Sequence, residues 1–332
     1  MAKALGWVIT RGQMKPCETC TQAKAKQKSV TQDSDHIKST RAGERMFLDL
    51  CSIKEDGKIL KHWRILMDEA TGFKTTKFVT TKSGMVEPTL KELQKLKHHN
   101  KDVKFIRCDN GGENEALQKK IDSSEWNLGI DFEYTARDTP QMNYLAEIGF
   151  TYLFNRAMAM MNGANIPKDI RLRLYTKAIE TATLLDGLSQ VEINGEKKSR
   201  YEHFHGKNPR FAGHHRTWGE TGTVKTKSKR SSKITDRGTV CILVGYAAEH
   251  NGDCYEMWDP VKGSVHVTHD VVWLKKMYYK EQEGGETLAL KPTSVDVQGV
   301  KWAGEEAVPV SGGEDNAEGR DANQGETEET EG

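Results

Sequence analysis

The stretch "RMFLDLCSI", residues 45–53, sets a carboxylate in the middle of an otherwise apolar strand. An ionised side chain flanked by apolar neighbours is expensive to bury unless it reaches an edge, finds a partner or ligates a metal. Asp49 therefore limits the chain to folds that supply one of those three. A second acid ends another apolar run: "VKFIRCDNGGEN" passes straight into Asp109 and then into Asn110, Gly111 and Gly112. Two readings of Asp109 stand side by side here. Asn and Gly tolerate positive φ and mark ordinary strand-ending turns, or the acid is held at the strand end to meet others.

The order of elements sets where such a meeting could occur. Three strand-like runs over 45–81 read as a meander. "SGMVEPTLKELQKLKHHN" follows as a helix, with Ser83 as its N-cap and Val86, Leu90, Leu93 and Leu96 on its apolar face. "DVKFIRCD" is a short strand covered on both faces, a helix spans about 113–126, and "IDFEYTA" is a further strand. Two long helices come next, from about Gln141 to Gly163 and from about Lys168 to Leu188. The second has Leu172, Tyr175, Ile179, Ala182 and Leu185 as its expected buried stripe. This order predicts a mixed-sheet α/β domain. The expected division is a basic linker over 1–44, an α/β core over 45–190 and a connecting segment over 191–234. A small β-domain over 235–280 and a disordered acidic tail over 281–332 complete it.

Charge is distributed unevenly. Residues 305–332 carry ten acids against Arg320, a net −9, so residues 1–304 carry +10 although the whole chain sums to +1. A basic body suits a polyanionic partner, because lysines and arginines that neutralise phosphates release counterions; a solvated charged surface is the plainer alternative. No apolar run approaches the roughly 18 residues of a membrane span, and the start has no secretion signal. Six scattered cysteines, with only Cys17 and Cys20 close together, read as reduced, intracellular usage.

A third acid, Glu147, lies early in the first long helix in "QMNYLAEIGFTYLF". Two aspartates and a glutamate at one point would repel each other, and their ionised forms would be disfavoured without cations. Hard divalent ions resolve that conflict, since Mg²⁺ takes oxygen ligands and binds a few carboxylates together with substrate phosphates.

On "FLDL" around Asp49, "RCDNGGEN" around Asp109 and "DTPQMNYLAE" ending in Glu147, the chain resembles the integrase of copia-type LTR retrotransposons. These are DDE recombinases on a ribonuclease-H-like fold. Between Asp109 and Glu147 lie 37 residues, close to the family's usual interval, and Pro140, Gln141 and Asn143 match its Pro-Gln-x-Asn segment. "YEHFHGKNP" resembles the tract that closes the catalytic domain, and "CILVGYA…CYEMWDP…VHVTHDVVWL" the C-terminal β-module, so the likeness runs from about Pro16 to Tyr279. It implies a ribonuclease-H-like five-stranded mixed sheet flanked by helices, followed by a small β-barrel-like module. It also implies that Asp49, Asp109 and Glu147 hold two Mg²⁺ or Mn²⁺ ions. The expected chemistry is phosphoryl transfer on DNA: 3′-end processing and strand transfer. By the same resemblance the chain is expected to form a homo-oligomer on DNA, to act in the nucleus and to be a piece of a larger polyprotein. A hydrolytic nuclease of the same fold and a catalytically silent nucleic-acid-binding relic are the alternatives.

The sequence also departs from the family. Cys17 and Cys20 match the cysteine half of its N-terminal zinc module, but no histidine precedes them, and one CxxC leaves a tetrahedral zinc site half-built. Tyr144 stands where glycine is frequent, and Ile148, Gly149 and Phe150 where basic residues are frequent. Expected DNA contacts are Asn110, Gln141 and Asn143, with the basic run Lys225, Lys227, Lys229 and Arg230; a capping or loop role for the first set and a plain exposed loop for the second are equally open. Trp258 and Trp273 read as core of the β-module, Asp68 as a turn residue, and Glu113 as a first-turn acid favoured by the helix dipole.

Overall fold

The computed structural model describes residues 38–135, 144–225, 236–247, 250 and 252–279. Strands β1 (Arg45–Glu55), β2 (Lys58–Asp68) and β3 (Lys74–Val79) form the expected antiparallel meander. A 3-10 turn over Ser83–Met85 leads into helix α1 (Val86–His98). Ser83 does not cap it: the helix N-cap is Met85 and has no side-chain cap bond, while Thr81 Oγ1 accepts the Gly84 N–H at 3.2 Å in the preceding turn. The buried face of α1 is Val86, Leu90, Leu93 and Leu96, joined by Thr89.

Strand β4 (Phe105–Cys108), helix α2 (Gly112–Ile121) and strand β5 (Asp131–Tyr134) follow. The sheet order is β3-β2-β1-β4-β5, with β4 parallel to both β1 and β5. An antiparallel meander extended by two parallel strands, with helices on both faces, is the ribonuclease-H-like arrangement. Helices α3 (Tyr144–Gly163) and α4 (Lys168–Gly187) lie on one face and α1 and α2 on the other. Met46, Phe47 and Leu48 are consequently all buried, which is why β1 reads as a continuous apolar run rather than an alternating one.

A two-residue hairpin joins β6 (Gln190–Ile193) to β7 (Glu196–Ser199). Its Asn194 and Gly195 have φ of 53° and 80°, the left-handed pair that such a turn requires. Helix α5 (Arg200–His205) is capped by Ser199, whose Oγ accepts the Glu202 N–H at 3.0 Å, and it ends on Gly206 at φ 74°. A second antiparallel sheet then forms from β8 (Glu220–Lys225), β9 (Gly238–Tyr246), β10 (Tyr255–Asp259), β11 (Ser264–Thr268) and β12 (Val271–Met277), in the order β11-β10-β9-β8-β12. The run "SVHVTHDVVWL" is two strands, broken at His269 and Asp270, and they become the two edges of this sheet.

Helix α4 corrects the sequence reading most. Leu172 is 43% exposed and Leu185 only half-buried; the buried set is Leu174, Ala178, Ile179, Ala182 and the polar Thr181, Thr183 and Asp186. A single stripe was the wrong template because this helix touches two sheets. Its apolar residues share one cluster with Trp63 and Ile65 of the first sheet and with Ile242, Val244 and Trp258 of the second. Thr181 Oγ1 donates to Val244 O at 3.0 Å, and Lys177 bridges Glu180 and Glu256. Trp258 is core, as its setting among strands suggests, and Trp273 is half-buried against Tyr255.

Two buried carboxylates organise the turns. Asp68 accepts from Gly43 N at 2.7 Å, Thr71 N at 2.8 Å and Thr71 Oγ1 at 2.6 Å, so the spare acid of the second strand is a turn residue. Asp186, near the end of α4, binds Lys74 Nζ of β3 at 2.8 Å, with Arg156 at 3.5 Å and Arg200 at 3.9 Å. Burial pulls the Lys74 ammonium below its usual range and Asp186 opposes that pull. Asp186→Ala leaves Lys74 buried without its counter-ion, and urea denaturation should register a loss of about 3–5 kcal/mol. Replacing the pair together, as Asp186→Leu with Lys74→Met, should recover most of that loss.

Candidate active site

Parallel pairing puts the two aspartates at one level. The last registered pair between β1 and β4 is Phe47 with Arg107; two residues further along the chain stand Asp49, still in β1, and Asp109, one residue past the end of β4. The glutamate arrives from the helical layer. Asp49 is paired across the antiparallel ladder with Ile65 of β2. Helix α3 rests on that same residue through Gly149, where an added methyl group would stand 2.9 Å from Ile65 Cδ1. One turn of α3 thus carries Glu147, Gly149 for close approach, and Phe150, whose ring meets Trp63 edge-on at 4.7 Å between centroids. Ile148, between them, is 60% exposed.

Electrostatics join what the backbone places. Asp49 is half-buried, and its carboxyl is pushed up from 3.8 to about 7. Desolvation is the largest cause, and the negative charges of Asp109, Glu147 and Glu113 add to it; the Leu50 N–H, donating to Asp49 Oδ1 at 2.8 Å, acts the other way. Glu147 is half-buried and is likewise raised, by desolvation. Asp109 is exposed, and Asn114 Nδ2 donates to its Oδ1 at 2.6 Å. All of these donors are hard oxygens and their charges add to the cost of ionising Asp49, which is the chemistry that divalent cations favour. Among the described residues no group of three or more His, Cys, Asp or Glu side chains is drawn together tightly enough to form a metal cluster.

Glu113 is the member that sequence reasoning missed. It begins α2, as its position after Gly-Gly suggests, but its carboxylate also folds back over Gly111. It lies 3.7 Å from Lys82 Nζ, and its field reaches both Asp49 and His62. Only the three-dimensional return of α2 beside β1 reveals this. Asn110 is exposed next to Asp109, and Lys225 is exposed at the end of β8. Gln141, Asn143, Lys227, Lys229, Arg230, Cys17, Cys20 and the acidic tail lie outside the described residues. No described helix is long and apolar enough to cross a membrane.

With this geometry in place, comparison with known proteins adds two sequence matches. Residues 221–287 match the retroviral polymerase SH3-like domain, a span that begins in β8 and covers the second sheet. Over 265 residues, 78% of the chain, the sequence is 25% identical to the retrovirus-related Pol polyprotein from transposon TNT 1-94 of Nicotiana tabacum. The chain spans only 19% of the length of that relative. Among solved structures, the HTLV-2 integrase catalytic core domain in complex with magnesium aligns at 15% identity and a TM-score of 0.37, covering 50% of this chain and 98% of the other. The simian T-cell lymphotropic virus intasome in complex with the PP2A regulatory subunit B56 gamma aligns at 15% identity and a TM-score of 0.41, covering 80% and 88%. The chain is thus similar to retrotransposon Pol polyproteins of the copia type and carries a retroviral SH3-like module.

The raised Asp49 carboxyl has a definite pH signature. A group whose folded pKa exceeds its unfolded value stabilises the fold fully below the unfolded pKa and loses that contribution as pH rises through the folded one. Without divalent cations, the protein should therefore melt progressively lower as pH rises from about 4 through 7. Asp49→Asn should flatten that slope and, at pH 8, melt roughly 3 °C or more above the parent chain, measured by scanning calorimetry in chelator.

Proposed function

We propose that this chain is the integrase portion of a retrotransposon polyprotein and that it carries out phosphoryl transfer on DNA at Asp49, Asp109 and Glu147. The observation that supports the reading is the Asp49 carboxyl, raised first by burial and further by the negative charges of Asp109 and Glu147. The group that such a donor set fits is a pair of Mg²⁺ or Mn²⁺ ions held by Asp49, Asp109 and Glu147. Bound there, the ions supply the charge that activates a water or a DNA 3′-hydroxyl for in-line attack and steadies the departing oxygen. Asp49 contributes an anion that is costly in the free protein and favourable beside a cation. Asp109 contributes a carboxylate on a turn shaped by Asn110, Gly111 and Gly112. Glu147 is held at the sheet by the close packing of α3.

The remaining residues serve the substrate. A body of net +10 over residues 1–304 attracts the phosphate backbone and makes binding salt-dependent. Asn110, Gln141 and Asn143 flank two of the three acids in sequence and are assigned to the DNA backbone near the reacting phosphate. Lys225, with Lys227, Lys229 and Arg230, is assigned to a phosphate track leading from the SH3-like module. Cys17 and Cys20 supply half of a zinc site and need two further ligands to close it. Work on DNA ends calls for a multimer, with nuclear access.

Purified chain given Mn²⁺ and oligonucleotides that mimic element ends should yield joined products. Nicking alone would favour a hydrolytic nuclease, and salt-sensitive binding without either product would favour a silent relic. Asp109→Asn and Glu147→Gln should each lower product formation by more than the roughly 10–100-fold that loss of a supporting residue costs. DNA affinity should be kept or slightly raised, because each change removes a negative charge. Product formation at the parental rate in both variants would overturn the assignment.

A further inference from the structure

Asn114 is 2% exposed in the first turn of α2. Both hydrogen bonds of its side chain go to a single residue. Nδ2 donates to the carboxylate oxygen Oδ1 of Asp109 at 2.6 Å and to the backbone carbonyl of the same residue at 3.1 Å. The amide orientation is fixed by those partners, since both are acceptors and only the NH₂ end can face them. The other end is sacrificed: Asn114 Oδ1 is buried without a hydrogen-bond partner among the described residues. A leucine of similar size would leave no such orphan. Stability alone therefore does not account for an asparagine at this position.

Resting on the function proposed above, we infer that Asn114 is a positioning residue for Asp109, clamping its carboxylate and its main chain together so that Oδ2 is presented to a divalent cation. Asp109 needs such a clamp. It is exposed, it sits beyond the last residue of β4, and glycines follow it at 111 and 112. The chain conformation there leaves the side chain free to rotate unless something fixes it. Asn114 ties it to α2, whose Leu117 and Ile121 are fully buried, so the rigidity of the helix is passed to the carboxylate through one NH₂ group. Residues that orient a metal ligand in this way are worth about 10–100-fold in metal affinity or activity.

The test is a Mn²⁺ titration of the full chain, followed by melting temperature, on the parent, Asp109→Asn, Asn114→Leu and Asn114→Ala. In chelator Asn114→Leu should melt at or above the parent, because the orphaned oxygen is gone. It should nevertheless require about 10–100-fold more Mn²⁺ for the same stabilisation. With DNA, its turnover should fall while the KM for DNA stays at the parental value. Asn114→Ala, which opens space rather than filling it, should show the same Mn²⁺ requirement on a lower melting temperature. A parental Mn²⁺ requirement in both Asn114 variants, with Asp109→Asn weakened, overturns this inference and leaves the proposed function standing. A parent chain that does not respond to Mn²⁺ at all removes both.

Discussion

Repulsion between carboxylates at one end of the first sheet is the condition to which the rest of the structure answers. Parallel pairing of β1 and β4 brings Asp49 and Asp109 level, and α3 adds Glu147 from above. Lys82 reaches Glu113 at 3.7 Å, and its side chain is more than half exposed. Such a screened pair contributes little. The sheet therefore holds a charge arrangement that burial of its surroundings must stabilise. It does so with two apolar clusters, one on each face, that bury Phe47, Trp63 and Ile65 on one side and Leu48, Leu66 and Ile106 on the other. Asp49 sits between buried neighbours on a strand that could not be displaced without opening both clusters.

Close approach of α3 is the second requirement, and it accounts for the residues that follow Glu147. Residues following Glu147 are Ile148, Gly149 and Phe150 rather than basic ones. Gly149 and Phe150 are spent on the sheet: the first because a larger residue would press on Ile65, the second because its ring fills the space beside Trp63. Ile148 alone points outward, so only one of those three positions is open to solvent.

How much of this was legible in the sequence depends on the range of the interaction. The meander, α1 and the short strand β4 follow from local apolar patterns, and the order of elements gave the mixed sheet. The β6–β7 hairpin was equally local, with Asn194-Gly195 between paired strands, yet it carries little apolar content and reads as connecting chain. Strand β8, "ETGTVK", was missed for a similar reason: of its buried residues Glu220, Thr221, Gly222 and Val224, only the last is apolar. Asn114 and Glu113 lie beyond any pattern. Their roles exist only because α2 turns back over the end of β4, and in the sequence they are two polar residues in a first helical turn.

Helix α4 explains why a single-face reading could not succeed for the second half of the chain. A helix on one sheet keeps a stripe of about 100° apolar. This one must satisfy the first sheet through Ala178, Ile179 and Ala182 and the second through contacts with Val244 and Glu256. The polar residues that spoil its stripe, Thr181, Lys177 and Asp186, are the ones that make directional bonds to the second sheet or to β3. Trp218 reinforces the same junction by donating its indole N–H to Val244 O at 2.9 Å, the carbonyl that Thr181 also uses. Two donors on one strand carbonyl fix β9 against the helix in position as well as in depth. The SH3-like module is thereby seated on the helical layer that also carries Glu147.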